Sequence, residues 1–183
     1  MKHWVFDLDG TLINSHEPYF TNLIEVCGDY KIKLTDEDLK KSLRVNAIDF
    51  LKDHVPAQSL EIAFEKLIKL GLASIQHIPV YEGVEDYLAY LTENKVTLSL
   101  WTAREGITAR EVIKTTKLEK YFSHTITGSC VTVNKPSPEG LTKILRHRNC
   151  NGNEAIMIGD SEHDVQGAKA AGVKSVSVSW DIE

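Results

Sequence analysis

The fold of this chain is decided by residues 3–11, which read HWVFDLDGT. A short apolar strand runs directly into two aspartates one residue apart, Asp7 and Asp9, followed by Gly10 and Thr11. Because side chains alternate along a strand, the two carboxylates can point to the same side. Carboxylates this close repel each other unless a cation or a shared proton separates them. The segment therefore indicates a socket for a divalent metal ion and a phosphoryl group, with a solvated aspartate pair at an ordinary strand end as the alternative.

Three further groups of polar residues lie later in the chain, each next to a predicted apolar strand or at the start of a predicted helix. Thr102 ends one predicted strand, Lys135 opens a predicted helical segment, and Asp160 and Asp164 follow another strand. Ligands of open parallel sheets bind beyond the carboxyl ends of the strands, near the point where the strand order reverses. Asp7, Thr102 and Asp160 all fall at such ends. Three separate strands are thus expected to deliver polar groups to one edge of the sheet.

Taken together, these four segments resemble the four motifs of the haloacid dehalogenase superfamily. The resemblance is closest to its phosphoglycolate-phosphatase-like and β-phosphoglucomutase-like branch, and it covers nearly the whole chain. The first and fourth motifs are the specific ones. The resemblance implies an α/β fold of Rossmann-like type, in which a parallel sheet is flanked by helices and a small helical cap is inserted.

The resemblance also implies a role for each motif residue. Asp7 would be the nucleophile that forms an aspartyl-phosphate, and Asp9 the general acid that protonates the leaving alcohol and then activates water. Thr102 would bind a phosphoryl oxygen, and Lys135 would neutralise charge on the phosphoryl group and on Asp7. The further residues expected to contact substrate are Gly10, Thr11, Ala103, Arg104, Arg44 and His16.

Magnesium suits the ligand set that the resemblance implies. The ligands would be Asp7, the backbone carbonyl of Asp9, and Asp160, while Asp164 would bind through water or orient the other ligands. Carboxylate oxygens, with waters and a substrate phosphate, are the ligands that Mg²⁺ prefers. Structural alternatives remain for several of these residues. Thr102 and Asp164 could simply cap helices, and Arg104 and Arg44 could be exposed helix residues.

The chain is expected to form two domains. After residue 79 the pattern alternates strand and helix, which predicts parallel pairing with right-handed crossovers. From about residue 18 to 72 the apolar spacing is helical, and Thr35 to Asp38 resembles a capping box. We therefore assign 1–14 and 79–183 to the α/β core and 15–78 to a helical cap.

Composition and cysteine content indicate which binding partners and which cellular compartment to expect. The chain has 183 residues, of which 42% are hydrophobic and 26% charged, with a formal net charge of −5 and no basic cluster. A nucleic-acid partner is therefore not expected. No apolar run reaches the roughly 18–20 residues that span a bilayer, so a membrane is not an expected partner. The N-terminus leads directly into the strand that carries Asp7, so a signal peptide is not expected either. Three scattered cysteines fit a reducing cytoplasm. The oligomeric state stays open between a monomer and a weak dimer.

These observations predict a magnesium-dependent phosphomonoester hydrolase acting on a small phosphorylated metabolite, with phosphoglycolate as one candidate. A sugar-phosphate mutase is an alternative within the same superfamily. A non-catalytic, phosphorylatable module of the receiver type is an alternative from another class. Receivers lack a large helical insertion directly after the first strand, so segment 15–78 argues against that class.

Overall fold

The computed structural model describes residues 2–43 and 45–180. The chain divides into two compact units, one formed by Met1–Asn14 with Pro79–Glu183 and the other by Ser15–Ile78. We refer to them as the core unit and the helical unit.

The core unit is built on a five-stranded parallel sheet with strand order β3-β2-β1-β4-β5. Its strands are β1 (His3–Phe6), β2 (Thr97–Trp101), β3 (His124–Ile126), β4 (Ala155–Gly159) and β5 (Lys174–Ser177). The connecting helices are α5 (Val84–Glu93), α6 (Gly106–Thr115), α7 (Glu139–His147) and α8 (Glu162–Ala170). The predicted α/β fold with a parallel sheet is confirmed.

The central strands are apolar because both faces of the sheet are covered by helices. Val5, Met157 and Ala168 are completely buried in a cluster that also contains Trp101 and Leu141. The strand order changes direction between β1 and β4, which are direct neighbours. This edge is where a parallel sheet of this kind opens a crevice for a ligand.

Two element boundaries have local causes. The ladder of β1 ends at Phe6 because the chain then turns, with the amides of Leu12 and Ile13 donating to the Leu8 carbonyl. Helix α8 begins at Glu162 because Ser161 caps it.

The helical unit contains α1 (His16–Gly28), α2 (Asp36–Ser42), α3 (Ala47–His54) and α4 (Leu60–Ser74). Its own apolar cluster includes Leu23, Cys27, Phe50 and Leu67. The capping box at the start of α2 is present, with the Thr35 hydroxyl accepting from the Asp38 amide. None of the helices in the described ranges has both the length and the apolar character needed to cross a bilayer.

Candidate active site

The site begins at the turn after β1. The Asp7 amide donates to the Ile158 carbonyl of β4 at 2.8 Å, which holds Asp7 at the edge between the two central strands. Leu8 is completely buried, whereas Asp9 is partly exposed. Gly10 has a φ of +77°, and its amide donates to the Ile13 carbonyl at 2.9 Å. A glycine adopts this left-handed conformation without strain, so the chain can fold back directly behind the aspartate pair.

Lys135 lies between two buried carboxylates. Its Nζ atom donates to Asp7 Oδ1 and to Asp164 Oδ1, both at 2.6 Å. The exposed fractions of the three side chains are only 5% for Lys135, 11% for Asp7 and 1% for Asp164. The ammonium group also lies 4.8 Å from the centre of the Trp101 ring. A charge this deeply buried is stable only because its partners are charged and close.

The loop after β4 supplies the other two aspartates. Asp164 accepts from Ser161 Oγ at 2.6 Å, and the Ser161 hydroxyl accepts from the Asp164 amide, so the two residues form a capping box at the start of α8. Asp160 accepts from Thr11 Oγ1 at 2.7 Å. Ser161 is therefore the N-cap of this helix and Asp164 its partner in the capping box, and Asp164 contacts Lys135 as well.

Asp7, Asp160 and Asp164 each offer one oxygen atom, and these oxygens lie within 4.8 Å of one another. With Asp9 included, the described residues at this edge of the sheet supply four carboxylates and two cations, Lys135 and Arg104. One divalent cation would balance the charge that remains. The donors are all hard oxygen atoms, so the chemistry of the cluster fits Mg²⁺.

The electrostatics of the cluster follow from its burial. Burial raises the pKa of Asp7 well above its usual value; the Lys135 charge opposes this rise, and the Asp164 and Asp160 carboxylates add to it. For Lys135, burial lowers the pKa, but the Asp7 and Asp164 carboxylates outweigh it and raise the pKa above its usual value. Lys135 therefore remains charged in this site.

Asp9 and Arg104 form an ion pair in which the guanidinium Nε donates to both carboxylate oxygens, at 3.1 and 3.0 Å, and Nη2 donates to Oδ1. Thr102 is buried at the end of β2, and its hydroxyl accepts from the Arg104 amide at 3.0 Å. The N-cap position of α6 is occupied by Glu105, whose side chain makes no capping hydrogen bond, so the alternative in which Thr102 caps that helix is wrong. The alternative of an exposed Arg104 is wrong as well.

The structure thus brings Asp7, Asp9, Arg104 and Lys135 together with the two aspartates of the last motif. Gly10 and Thr11 lie in the same turn, and Ala103 is exposed in the loop after β2. His16 belongs to the helical unit, where its ring stacks on Phe20 at a centroid distance of 6.2 Å. Arg44 lies outside the described residues. The substrate contacts expected of these residues stay predictions.

Two contacts in the site were not predicted from the sequence. Ser161 orients Asp164, and the spacing Ser161-x-x-Asp164 is a capping-box pattern that could have indicated it. Trp101 packs in the core, where it is 1% exposed, and its ring also faces the Lys135 ammonium. No periodicity in the sequence signals that second contact.

Comparison with known proteins identifies the class to which this fold and site belong. The family model described as haloacid dehalogenase-like hydrolase matches residues 4–178. The chain therefore belongs to the haloacid dehalogenase-like hydrolase family, as the motif resemblance predicted.

Individual relatives agree with this assignment. The chain is 32% identical over 184 residues to pyrophosphatase PpaX from Listeria monocytogenes serotype 4a, covering 98% of this chain and 83% of the relative. A Lactobacillus plantarum protein provisionally assigned as a phosphoglycolate phosphatase superposes with a TM-score of 0.86 at 23% identity, covering 95% of this chain and 84% of that one. A HAD-superfamily hydrolase from Geobacter sulfurreducens superposes with a TM-score of 0.72 at 28% identity, covering 97% and 86%. The predicted enzyme class, a phosphatase of this family, is confirmed.

Proposed function

We propose that this protein is a magnesium-dependent phosphatase that hydrolyses a small phosphorylated metabolite through an aspartyl-phosphate on Asp7. The observation that carries the proposal is the buried arrangement of Lys135 between Asp7 and Asp164, with Asp160 beside them. A cation fixed against a carboxylate at the carboxyl end of a central strand is suited to neutralise phosphoryl oxygens as they approach that carboxylate. Pyrophosphate and phosphoglycolate, named for the relatives, are the first substrates to test.

In the first step, a carboxylate oxygen of Asp7 attacks phosphorus, and the bond between phosphorus and the leaving-group oxygen breaks. Asp9 donates its proton to that oxygen, so the leaving group departs as an alcohol or an acid. Lys135 balances the charge of the phosphoryl oxygens, and the Thr102 hydroxyl donates to one of them. In the second step, Asp9 takes a proton from water, water attacks phosphorus, and Asp7 is released with inorganic phosphate.

Asp7, Asp160 and the Asp9 carbonyl would hold the magnesium ion, and Asp164 would orient this group. When bound, the ion supplies positive charge to the phosphoryl oxygens and favours the ionised form of Asp7. Residues of the chain bind the phosphoryl group, position the nucleophile and transfer the proton. We assign the helical unit to substrate selection as a cap, and the cytoplasm as the location, a placement that the three unpaired cysteines support.

The test is phosphate release from pyrophosphate, phosphoglycolate and p-nitrophenyl phosphate, with and without Mg²⁺. We expect turnover that requires Mg²⁺ and falls by more than about 1000-fold in Asp7→Asn, since this change removes the nucleophile but keeps its shape. Asp86→Asn is the matched control, because Asp86 is an exposed aspartate in the first turn of α5. It should retain wild-type activity.

Other outcomes would contradict parts of the proposal. Wild-type turnover in Asp7→Asn would exclude covalent catalysis by this residue. Transfer of the phosphoryl group to a second hydroxyl of a sugar phosphate, with none to water, would identify a mutase. A stable phosphorylated Asp7 with no turnover of any substrate would favour the receiver-like switch.

A further inference from the structure

The ion pair between Asp9 and Arg104 places a second cation at the site, on a different carboxylate from those that Lys135 contacts. Lys135 contacts the nucleophile Asp7, whereas Arg104 contacts Asp9, the residue assigned to protonate the leaving group. In phosphoryl transfer the attacking and leaving oxygens lie roughly in line, on opposite faces of phosphorus. Under the proposed function, Arg104 therefore lies on the leaving-group side.

Arg104 is held firmly in this place. Its amide donates to the Thr102 hydroxyl at 3.0 Å, and its carbonyl accepts from the Gly128 amide at 2.9 Å. Its side chain is only 15% exposed. An arginine anchored on both sides of its backbone presents its guanidinium at a defined position, unlike a mobile surface arginine.

The Asp9 carboxylate shows what kind of ligand this guanidinium accepts. Nε and Nη2 both donate to it, which is the planar, two-pronged geometry in which arginine recognises an oxyanion. Carboxylate, phosphate and phosphonate groups all accept hydrogen bonds in the same way. A second oxyanion brought in by a substrate can share or take over these donors, because the guanidinium carries five N–H groups in a fixed fork.

The charges of the site allow such an exchange. With one divalent cation bound, the four carboxylates and two cations named above sum to no net charge, so a negative leaving group adds a charge that requires its own cation. A guanidinium that passes from Asp9 to the substrate neutralises this leaving group. The Asp9 carboxylate can then take up from solvent the proton that it donates to the leaving group.

We propose that Arg104 selects substrates whose leaving group carries its own negative charge next to the scissile bond, as in a diphosphate or a phosphorylated hydroxy acid. This inference rests on the proposed phosphatase function and adds a substrate class to it. Arg104 acts as a specificity-determining residue, because it binds the leaving group and makes no bond to phosphorus.

The experiment compares substrates with and without this charge. The first pair, phosphoglycolate and 2-hydroxyethyl phosphate, differs mainly in the charge. The second pair, pyrophosphate and methyl phosphate, differs also in the acidity of the leaving group, so its readout is the change in preference on mutation of Arg104. We expect wild-type kcat/KM to favour the charged member of at least one pair by about 10- to 100-fold, the value of one charge-assisted hydrogen-bonded contact. In Arg104→Met this preference should largely disappear, through loss on the charged member alone, and Arg104→Lys should keep part of it.

Arg110→Met is the matched control, because Arg110 is an exposed arginine on α6. It should keep the wild-type preference. Thermal melts establish that each variant is folded, and inhibition by methylenediphosphonate against methylphosphonate repeats the comparison in Arg104→Lys without turnover. The two inhibitor constants should approach each other in that variant.

Two results would overturn the inference. Equal losses in Arg104→Met on both members of each pair would make Arg104 a general support for Asp9 with no role in selection. A wild-type enzyme with no preference in either pair would exclude a charged leaving group as the recognised feature. In both cases phosphate is still released, so the proposed function stands. Failure of that function is a different result, in which the wild type hydrolyses none of the four substrates.

Discussion

The parallel sheet buries ionisable side chains at both of its ends, but in two different states. At the carboxyl end, Lys135 lies within 2.6 Å of both Asp7 and Asp164, so buried charges are retained and matched. At the amino end, His3 opens β1 and is 3% exposed, and its Nε2 atom lies 3.1 Å from Ser99 Oγ. No carboxylate contributes to the pKa shift of that ring.

The amino end therefore keeps its histidines neutral. Burial lowers the pKa of His3 to about 4, and the nearby Arg148 and His124 side chains lower it further. The pKa of His124 is lowered by burial and by its neighbours His147 and Arg148, and its ring stacks on His147 at 4.1 Å. A buried group that does no chemistry can remain uncharged, whereas a group that binds phosphate must stay charged and requires a partner.

The substitution with the largest expected effect removes Lys135, the buried cation at the carboxyl end of the sheet. Lys135→Met leaves two buried carboxylates facing each other, and we expect the free energy of unfolding to fall by about 3–5 kcal/mol at pH 7 without Mg²⁺. Urea unfolding followed by circular dichroism measures it.

Lys143→Met is the control, because Lys143 forms an exposed ion pair with Glu139 one turn away on α7. Surface pairs of this kind contribute about 0.5 kcal/mol. Equal losses of unfolding free energy in Lys135→Met and Lys143→Met would mean that Lys135 does not stabilise the two buried carboxylates more than a surface lysine would.

The second test measures how stability depends on pH through His3, at the amino end of the sheet. The folded pKa of His3 is about 4, against 6.5 in the unfolded chain, so its contribution to stability is complete above pH 6.5 and is lost as the pH falls toward 4. We expect this histidine alone to account for about 2 kcal/mol of the stability lost between pH 8 and pH 5. In His3→Gln the decrease in unfolding free energy over that range should be smaller by this amount.

His77→Gln serves as the reference for this measurement, because His77 is exposed in the helical unit. Its stability should follow the wild-type pH dependence. If His3→Gln also follows the wild-type curve, the amino end is not held in a neutral state by His3.

The third test addresses the Trp101 ring beneath Lys135. A Cβ atom at Gly140 would collide with the indole Nε1 of Trp101, and one at Gly167 would lie 2.6 Å from its Cη2. Gly140→Ala should therefore push the indole aside, lower the unfolding free energy by about 1.5 kcal/mol and reduce phosphatase activity through Lys135.

Gly28→Ala is the matched change, since a Cβ at that helical position meets no atom within 4 Å. It should leave stability unchanged or slightly increased. A loss of stability in Gly140→Ala without any loss of activity would show that the indole packs independently of Lys135.

The sequence was sufficient to predict the sheet because its strands are short apolar runs that each end at a polar residue. Asp7, Thr102 and Asp160 could be assigned to one edge because parallel strands place their carboxyl ends together. Contacts that depend on side-chain reach could not be predicted. The pairing of Arg104 with Asp9 joins residues 95 positions apart, and no local pattern distinguishes it from an arginine at a helix start.

The contacts around His3, at the amino end of the sheet, could not be predicted from the sequence for a related reason. His3 belongs to an apolar strand, and none of its sequence neighbours indicates that Arg148 and His124 lie close to it. These residues meet because β3 begins beside β2 and α7 ends near the start of β3. Such proximity is a product of the register between strands, which a single sequence does not contain.

The strand order has a consequence for how this molecule is made. His3 of β1 pairs with Thr97 on one side and Ala155 on the other, so the earliest strand of this sheet lies at its centre and receives its second neighbour only after β2 and β3 have been made. The helical unit between residues 15 and 78 leaves the ribosome long before β1 has any strand partner. During synthesis Asp7 is therefore present long before Lys135 and Asp160 have been added to the chain. A partly synthesised chain cannot form the site.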